Sequence, residues 1–412
     1  MAAVNYNTGP FQRGRLAAAT FAHALSDGLV NFVPPLWFTV AAVYHLTDSN
    51  IGFIGALLGL TTNFGQPLFG YIVDRYRLRN VIPFALAIAT IFMCTLGFAP
   101  RLWVFVAFMM LAGCGVALFH PRGGSLAAEA SGSRRAFGMS IFGAGGLIGY
   151  AGASLAAPLL DTLGLRVGMK PLQGLIFALP LGLLSVFLLW RFQQQREKQT
   201  LPEETPEYSG MPPLETFSLR RHLLPHLGPL TPLFIVMVLR STTAVSFATY
   251  IQVLQGRLGH SSLFQGTVLF FFVGGAAIGS LLGSHLSDRC GRRCITVISL
   301  LLSPPLLYYS LHASPAMVIV LLLLGGATLR AAESINIAQT QDLLPHGMST
   351  ASAISMGFTW GVAGLMVPLV GVLSERTESL ALALSATCVL PIIAALVALS
   401  LPSSAPTPES RS

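Results

Sequence analysis

From Leu102 to His120 the chain reads LWVFVAFMMLAGCGVALFH, without one charged side chain. A run of that kind has few options. A helix of about 20 apolar residues crosses a bilayer, and in hydrocarbon a helix satisfies its own backbone hydrogen bonds. Comparable runs recur along the chain at 16–45, 51–73, 81–99, 102–122, 136–160 and 171–190, then at 231–254, 262–286, 295–312, 315–344, 350–373 and 380–400. The short alternating segments of a membrane β-barrel are absent. With 10% of residues charged and 53% hydrophobic, the chain could not cover a water-facing surface. The expected fold class is an all-α membrane protein of twelve transmembrane helices in two six-helix bundles.

The basic residues orient it. The chain has 24 Lys and Arg. Arg240 and Arg330 fall inside runs, and Arg101, Arg166, Lys170, Arg257 and Arg376 fall in loops on one side. The remaining seventeen lie on the side of the termini, which places both termini in the cytoplasm. The net charge of +8 is therefore a topology signal, with no nucleic-acid partner implied. No small-residue cleavage site follows the first run, so that run is expected to remain as a span. The expected organisation is a cytoplasmic N-terminus at 1–15, bundles at 16–190 and 231–400, a Pro- and Glu-rich cytoplasmic linker at 191–230, and a disordered tail at 401–412. Cys94, Cys114, Cys290, Cys294 and Cys388 have neither metal spacing nor a paired loop, and read as packing residues.

The two sets of six runs repeat one another. GYIVDRYRLRN follows the second run and GSHLSDRCGRRC follows the eighth; Asp74-Arg75 and Asp288-Arg289 lie 214 positions apart. The same offset from Asp27 reaches Ser241, beside Arg240, so the first helix of each half carries a charge at similar depth. The halves are thus pseudo-symmetric.

The Asp-Arg loop after the second span of each half resembles the loop signature of the major facilitator superfamily. The second copy keeps Asp288, Arg289, Gly291, Arg292 and Arg293; the first keeps Gly70, Asp74, Arg75 and Arg79 but has Arg77 where glycine is usual. LFHPRGGSLAAEASGSRRAFGMSIFGAGGLIG, GYIVDRY and QDLLPHGMSTASAISMGF resemble the fosmidomycin-resistance branch of drug/proton antiporters. That branch pattern does not include Arg330 or Glu333, is commonly acidic at the position of Arg122, and has an arginine where His346 and Gly347 stand. The resemblance implies the major facilitator fold and alternating access, with helices 1, 4, 7 and 10 lining a central path. It also implies that the Asp-Arg loops gate that path by pairing across the halves; the plain alternative is that their arginines only set topology.

Charged residues at mid-bilayer cost about 2.5–3.5 kcal/mol each on insertion scales, so they face a cavity or a partner. Asp27, in HALSDGLVN, shares a helix face with His23 and Asn31. A carboxylate in a partly dehydrated cavity that binds and releases a proton is what a proton-coupled carrier needs; a fixed hydrogen bond between helices is the alternative. In TLRAAESINIAQ, Arg330 and Glu333 are three apart, Asn336 continues their face and Gln339 lies further round. They form either a cavity-facing pair or a self-neutralising one, and the cavity reading is preferred because apolar residues fill a purely structural role better. Arg240 contacts an acidic substrate group or holds Asp27 or Glu333. The expected substrate-binding residues are Arg240 and Arg330, contacting an acidic group, with His23, Asn31, Asn336 and Gln339; Tyr250 and Gln252 are weaker substrate candidates. His120-Pro121-Arg122 reads as a corner at the inner end of helix 4, with Glu129 near Arg134 and Arg135.

No nucleophile–base set, phosphate loop or metal-ligand cluster is evident, so the sequence describes a carrier rather than an enzyme, with no cofactor and no metal. The expected function is proton-coupled export of a small anionic drug or metabolite across a bacterial inner membrane by a monomer. Asp27 is the first choice of proton carrier and Glu333 the second. Two rivals stand: an uptake symporter for an organic anion or siderophore, and a carrier-like ligand sensor.

Overall fold

The computed structural model describes residues 11–76, 80–199, 227–344 and 353–402. Every regular element among them is helical. The twelve apolar runs become twelve helices. In the first half α1 is Arg13–Val30, resumed as Trp37–Tyr44, and α2 is Asp48–Gly59 with a π-helical turn at Leu60–Phe64 before Gly65–Tyr76. Next come α3 (Val81–Cys94), α4 (Leu102–Ser131), α5 (Arg135–Arg166) and α6 (Ala178–Gln199). In the second half α7 is Leu227–Arg257, α8 Ser262–Cys290 and α9 Arg292–Ser310. The helix α10 is split into Pro315–Arg330 and Glu333–Leu343. A π-helical turn at Ala353–Phe358 leads α11 into Thr359–Thr377, and α12 is Leu380–Thr387 followed by Val389–Ala398. Eight helices among the described residues are long and apolar enough to cross a membrane by length and composition.

The internal repeat is visible in the packing. In the first half α4 packs on α2 and α3, α1 on α5, and α3 on α6; in the second, α10 packs on α8 and α9, α7 on α11, and α9 on α12. The halves meet through α2 against α11 and α5 against α8, the pairs that a two-fold relation exchanges. By parity of crossings both ends of the chain lie on one face, called here the terminal face.

Several boundaries differ from the hydropathy reading. Most of the expected linker, 200–226, lies outside the described residues, as does the tail from 403. The segment RFQQQREKQ instead continues α6, because Gln, Arg, Glu and Lys are good helix formers. The helix α4 does not stop at Arg122 but runs to Ser131. Pro121 removes one backbone donor, while the Ser125 hydroxyl donates to the Pro121 carbonyl at 2.9 Å, and the Ala- and Glu-containing stretch that follows carries the helix on.

Two helices break near mid-depth. α1 stops at Val30, just ahead of Pro34-Pro35, which offer no N–H and disfavour helical backbone before them. The run at 315–344 is interrupted by a turn at Ala331-Ala332 without Pro or Gly; both residues keep right-handed helical backbone, and Pro315–Leu343 forms one span of 29 residues. Arg330 ends the first piece, at the negative end of its dipole, and Glu333 begins the second, at its positive end. The ion pair between them spans the gap.

The first piece of α10 is fastened to α8. Gly275, Gly279 and Gly283 lie directly against the carbonyls of Leu323, Ala327 and Ala331, a backbone-on-backbone contact repeating every four residues. A side chain at Gly279 would run into Ala327 backbone, whereas Gly274 has no such neighbour within 4 Å. Gly279→Leu is expected to cost about 1–3 kcal/mol and lower the unfolding temperature in detergent by several degrees. Gly274→Ala should stay within about 0.5 kcal/mol of wild type. Equal stability of the two variants would sink the packing argument.

Candidate functional site

The first half holds its charge at Asp27, on α1. His23, one turn earlier, approaches Asp27 Oδ2 through Nε2 at 3.2 Å, and His120 of α4 approaches Oδ1 through Nε2 at 3.3 Å. The other ring nitrogens face backbone carbonyls: His23 Nδ1 lies 2.8 Å from the Phe142 oxygen and His120 Nδ1 lies 2.9 Å from the Val116 oxygen. A carbonyl oxygen only accepts, so both Nδ1 atoms carry hydrogen. Each Nε2 then needs a bridging proton to meet a carboxylate oxygen. Two such protons leave the triad with one positive charge; losing one leaves it neutral. His23 is clamped by stacking on Phe142, at 4.1 Å between ring centres, with His120 edge-on at 5.1 Å. Gly146 of α5 fits against this cluster: a methyl group there would lie 2.6 Å from Asp27 Oδ2 and 2.7 Å from His23 Nε2. The donor atoms of His23, Asp27 and His120 all lie within 4.8 Å of one another, a grouping the linear spacing does not reveal. The sequence reading expected no metal-ligand cluster, yet these three atoms are grouped closely enough to share protons or to hold a metal ion.

The second half holds its charges at the break in α10. Arg330 binds Glu333 through Nε and Nη2 and lays its guanidinium over the Trp360 ring of α11 at 4.6 Å. Arg240 of α7 approaches Glu333 from behind, Nη2 to Oε1 at 3.9 Å, and donates to the Ser241 hydroxyl at 3.2 Å. It is 1% exposed, and its Nε and Nη1 make no hydrogen bond among the described residues. Neither side-chain atom of Asn336 does, nor does Gln339 Oε1. From the first half, Tyr150 of α5 lies within electrostatic reach of Arg330. The two sequence-predicted groups of polar residues thus sit in opposite halves, each with charged side chains that retain some exposure.

The face opposite the termini is sealed by contacts between the halves. Asp48, at the start of α2 and 4% exposed, receives Arg257 of α7 through both Nη1 and Nη2, at 3.0 and 2.6 Å, and the Ser374 hydroxyl of α11 at 2.6 Å. The Tyr250 hydroxyl donates to the Asp48 carbonyl at 2.7 Å. Gln252 donates to the Pro34 carbonyl at 2.6 Å, tying α7 to the break in α1. Gly371 and Gly52 let α2 and α11 touch along this rim. Further in, the π-helical turns of these two helices face each other, with Phe64 edge-on to Phe358 at 5.8 Å.

Several expectations change. Tyr250, expected to bind substrate, is fully buried and spent on the seal. The Asn31 side chain donates to the Asp27 carbonyl at 2.8 Å, capping the end of α1 instead of extending the carboxylate's face. His120 is no corner: it lies within α4 and completes the Asp27 cluster. Glu129 accepts from Arg15 at 3.2 Å and Arg122 at 3.3 Å; the side chain of Arg135, one of its two expected neighbours, lies outside the described residues. In the second Asp-Arg loop, Gly291 adopts φ +86°, which lets α8 end and α9 begin without a gap. In this conformation, sealed on the opposite face, Arg292 pairs with Asp342 of α10 and Arg293 donates to the Leu399 and Leu401 carbonyls, all within the second half. Arg289 lies in the last turn of α8 and is exposed. The side chain of Asp288 lies outside the described residues; so do those of Asp74 and Arg75, the surroundings of Gly70, and Arg79 entirely.

The sequence reading missed Trp360, Tyr150, His120, Asp48, Arg257 and Ser374 as site residues. A histidine closing an apolar run was a usable signal for His120. Asp48 lies in the first turn of its helix, where carboxylates are common, and nothing local marks its three partners in other helices.

Comparison with known proteins accords with this architecture. Residues 16–368 and 233–412 match the Major Facilitator Superfamily. The chain is 26% identical to the Fosmidomycin resistance protein of Escherichia coli strain K12 over 371 residues, 89% of this chain and 87% of that one. It is also 26% identical to YfnC, an uncharacterized MFS-type transporter of Bacillus subtilis strain 168, over 361 residues, 86% and 84% of the two chains. Among solved structures it superposes on a bacterial homologue of the human lysosomal transporter Spinster, in an inward-facing and occupied conformation, with TM-score 0.70 at 16% identity, covering 95% of this chain and 97% of that one. The nucleoside transporter NupG, in a mutant form, gives TM-score 0.72 at 13% identity, covering 94% and 99%. On its two pseudo-symmetric six-helix halves and these matches, the chain belongs to the major facilitator superfamily of membrane transporters.

Proposed function

We propose that this transporter is a proton-coupled secondary carrier that exports a small anionic drug or metabolite by alternating access. It works as a monomer in a bacterial inner membrane, with both termini and the 191–230 linker in the cytoplasm, and the two bundles at 16–190 and 231–400 rock against each other. The observation that carries proton coupling is the Asp27 carboxylate held between two imidazoles whose other nitrogens are fixed by carbonyls. Such a cluster changes charge by one proton without moving its heavy atoms, and Asp27 keeps 24% of its side chain exposed. Glu333 is the second candidate carrier. The seal around Asp48 corresponds to closure of the periplasmic side, so the path opens to the cytoplasm, where cargo for export is collected. Arg330, part-exposed on Trp360, supports an anionic cargo, because its planar fork matches carboxylate and phosphonate oxygens. Export is the direction favoured by likeness to a protein named for drug resistance.

In proteoliposomes with an imposed pH gradient, Asp27→Asn is expected to abolish gradient-driven cargo movement while leaving cargo binding within a few-fold of wild type. Gradient-driven transport at the wild-type rate would remove Asp27 as carrier, and cargo moving with the proton flow would replace export by uptake. Arg330→Lys should weaken binding of an anionic cargo about tenfold, or about 1.4 kcal/mol, because a point charge replaces a fork; unchanged affinity would make the residue a structural partner. Asp48→Asn removes the anion that gathers Arg257 and Ser374. Spin labels at Asn50 and Arg376, on opposite sides of the sealed rim, should then move apart in the population average; an unchanged distance distribution would show that the pair does not hold the seal.

A further inference from the structure

Glu333 is shared by two arginines of unequal standing. Arg330 holds its Oε2 through a hydrogen bond from Nε and an ion pair from Nη2, and remains 16% exposed at the side chain. Arg240 stands 3.9 Å away, with a side chain 2% exposed and both Nε and Nη1 buried without a hydrogen-bond partner among the described residues. Two cations and one carboxylate leave one positive charge in excess in a low-dielectric setting, where an unpaired charge is costly. A buried guanidinium with two idle donors beside an already occupied carboxylate is a poor resting arrangement unless that carboxylate can come to it.

We propose that Glu333 is an exchangeable counter-ion: a carboxylate or phosphonate group entering the path takes the Arg330 fork, and Glu333 transfers to Arg240. This rests on the reading that the cargo is anionic, and it assigns the two arginines different tasks. Arg330 contacts cargo; Arg240 is a positioning residue that receives the displaced carboxylate. The incoming anion also cancels the excess charge, so cations and anions balance only in the loaded state.

The test is titration of the purified full-length protein with methylphosphonate, and separately with acetate, read by the fluorescence of Trp360 with Trp360→Phe as the blank and by calorimetry. Glu333→Gln, which removes the internal competitor, should bind the anion about five- to tenfold tighter than wild type. Arg240→Gln should bind it at least fivefold more weakly, because displaced Glu333 has nowhere to go. The double variant Arg240→Gln/Glu333→Gln should recover at least wild-type affinity, a rescue that a merely structural role for Arg240 would not produce. Glu333→Asp, with a shorter reach to Arg330, should also bind more tightly and serves if the Gln variant does not fold. Binding by wild type with no gain in Glu333→Gln or Glu333→Asp overturns the exchange and leaves the anionic-cargo reading standing. No binding of either anion by any variant overturns both.

Discussion

A charge buried among membrane helices has to be answered by another group, and that requirement organises this protein. Asp27 is answered by His23 and His120, Glu333 by Arg330 and Arg240, and Asp48 by Arg257 and Ser374. Each answer draws on more than one helix, or on both pieces of a broken one. The three clusters differ in what they join: one lies within the first half, one within the second, and one bridges them. Electrostatics that would be a minor decoration on a soluble protein here decides which helices can separate and which cannot.

The packing supplies the complementary rule about rigidity. Where glycines bring backbone against backbone, as between α8 and the first piece of α10, two helices become one body. Where a helix is interrupted, as at Asn31 to Val33 and, more mildly, at Ala331-Ala332, the regular backbone hydrogen bonding lapses. Both interruptions fall within a turn of a charged cluster, so the conformational freedom of the backbone and the chemistry of the path are located together.

Much of this was legible in the chain. Uncharged runs announce membrane helices because hydrocarbon leaves the backbone no other choice, and the repeated Asp-Arg loops announce two halves. Asp27, Arg240, Arg330 and Glu333 stood out because a charge in an apolar run is conspicuous. What stayed hidden was partnership. His120 approaches Asp27 across more than ninety residues of sequence, and Asp48 finds Arg257 and Ser374 in the other half. Hydropathy also conceals interruptions that arise without Pro or Gly, since Ala331-Ala332 reads as good helix until the flanking charges are placed on opposite sides of the gap. Tyr250 misled for a related reason: polarity inside a span signals a partner, but not whether that partner is cargo or another helix.

Gly146 carries a consequence of its own. With Gly145 and Gly149, which lie against Thr20 and Ala24, its missing side chain lets α5 lie flush against the His23 ring and the Asp27 carboxylate. A single added carbon atom at that position would therefore wedge the cluster apart without altering any ionisable group. The polar chemistry of the path hangs on a volume of one methyl, which makes this glycine a natural place to install a chemically silent off-switch in the carrier.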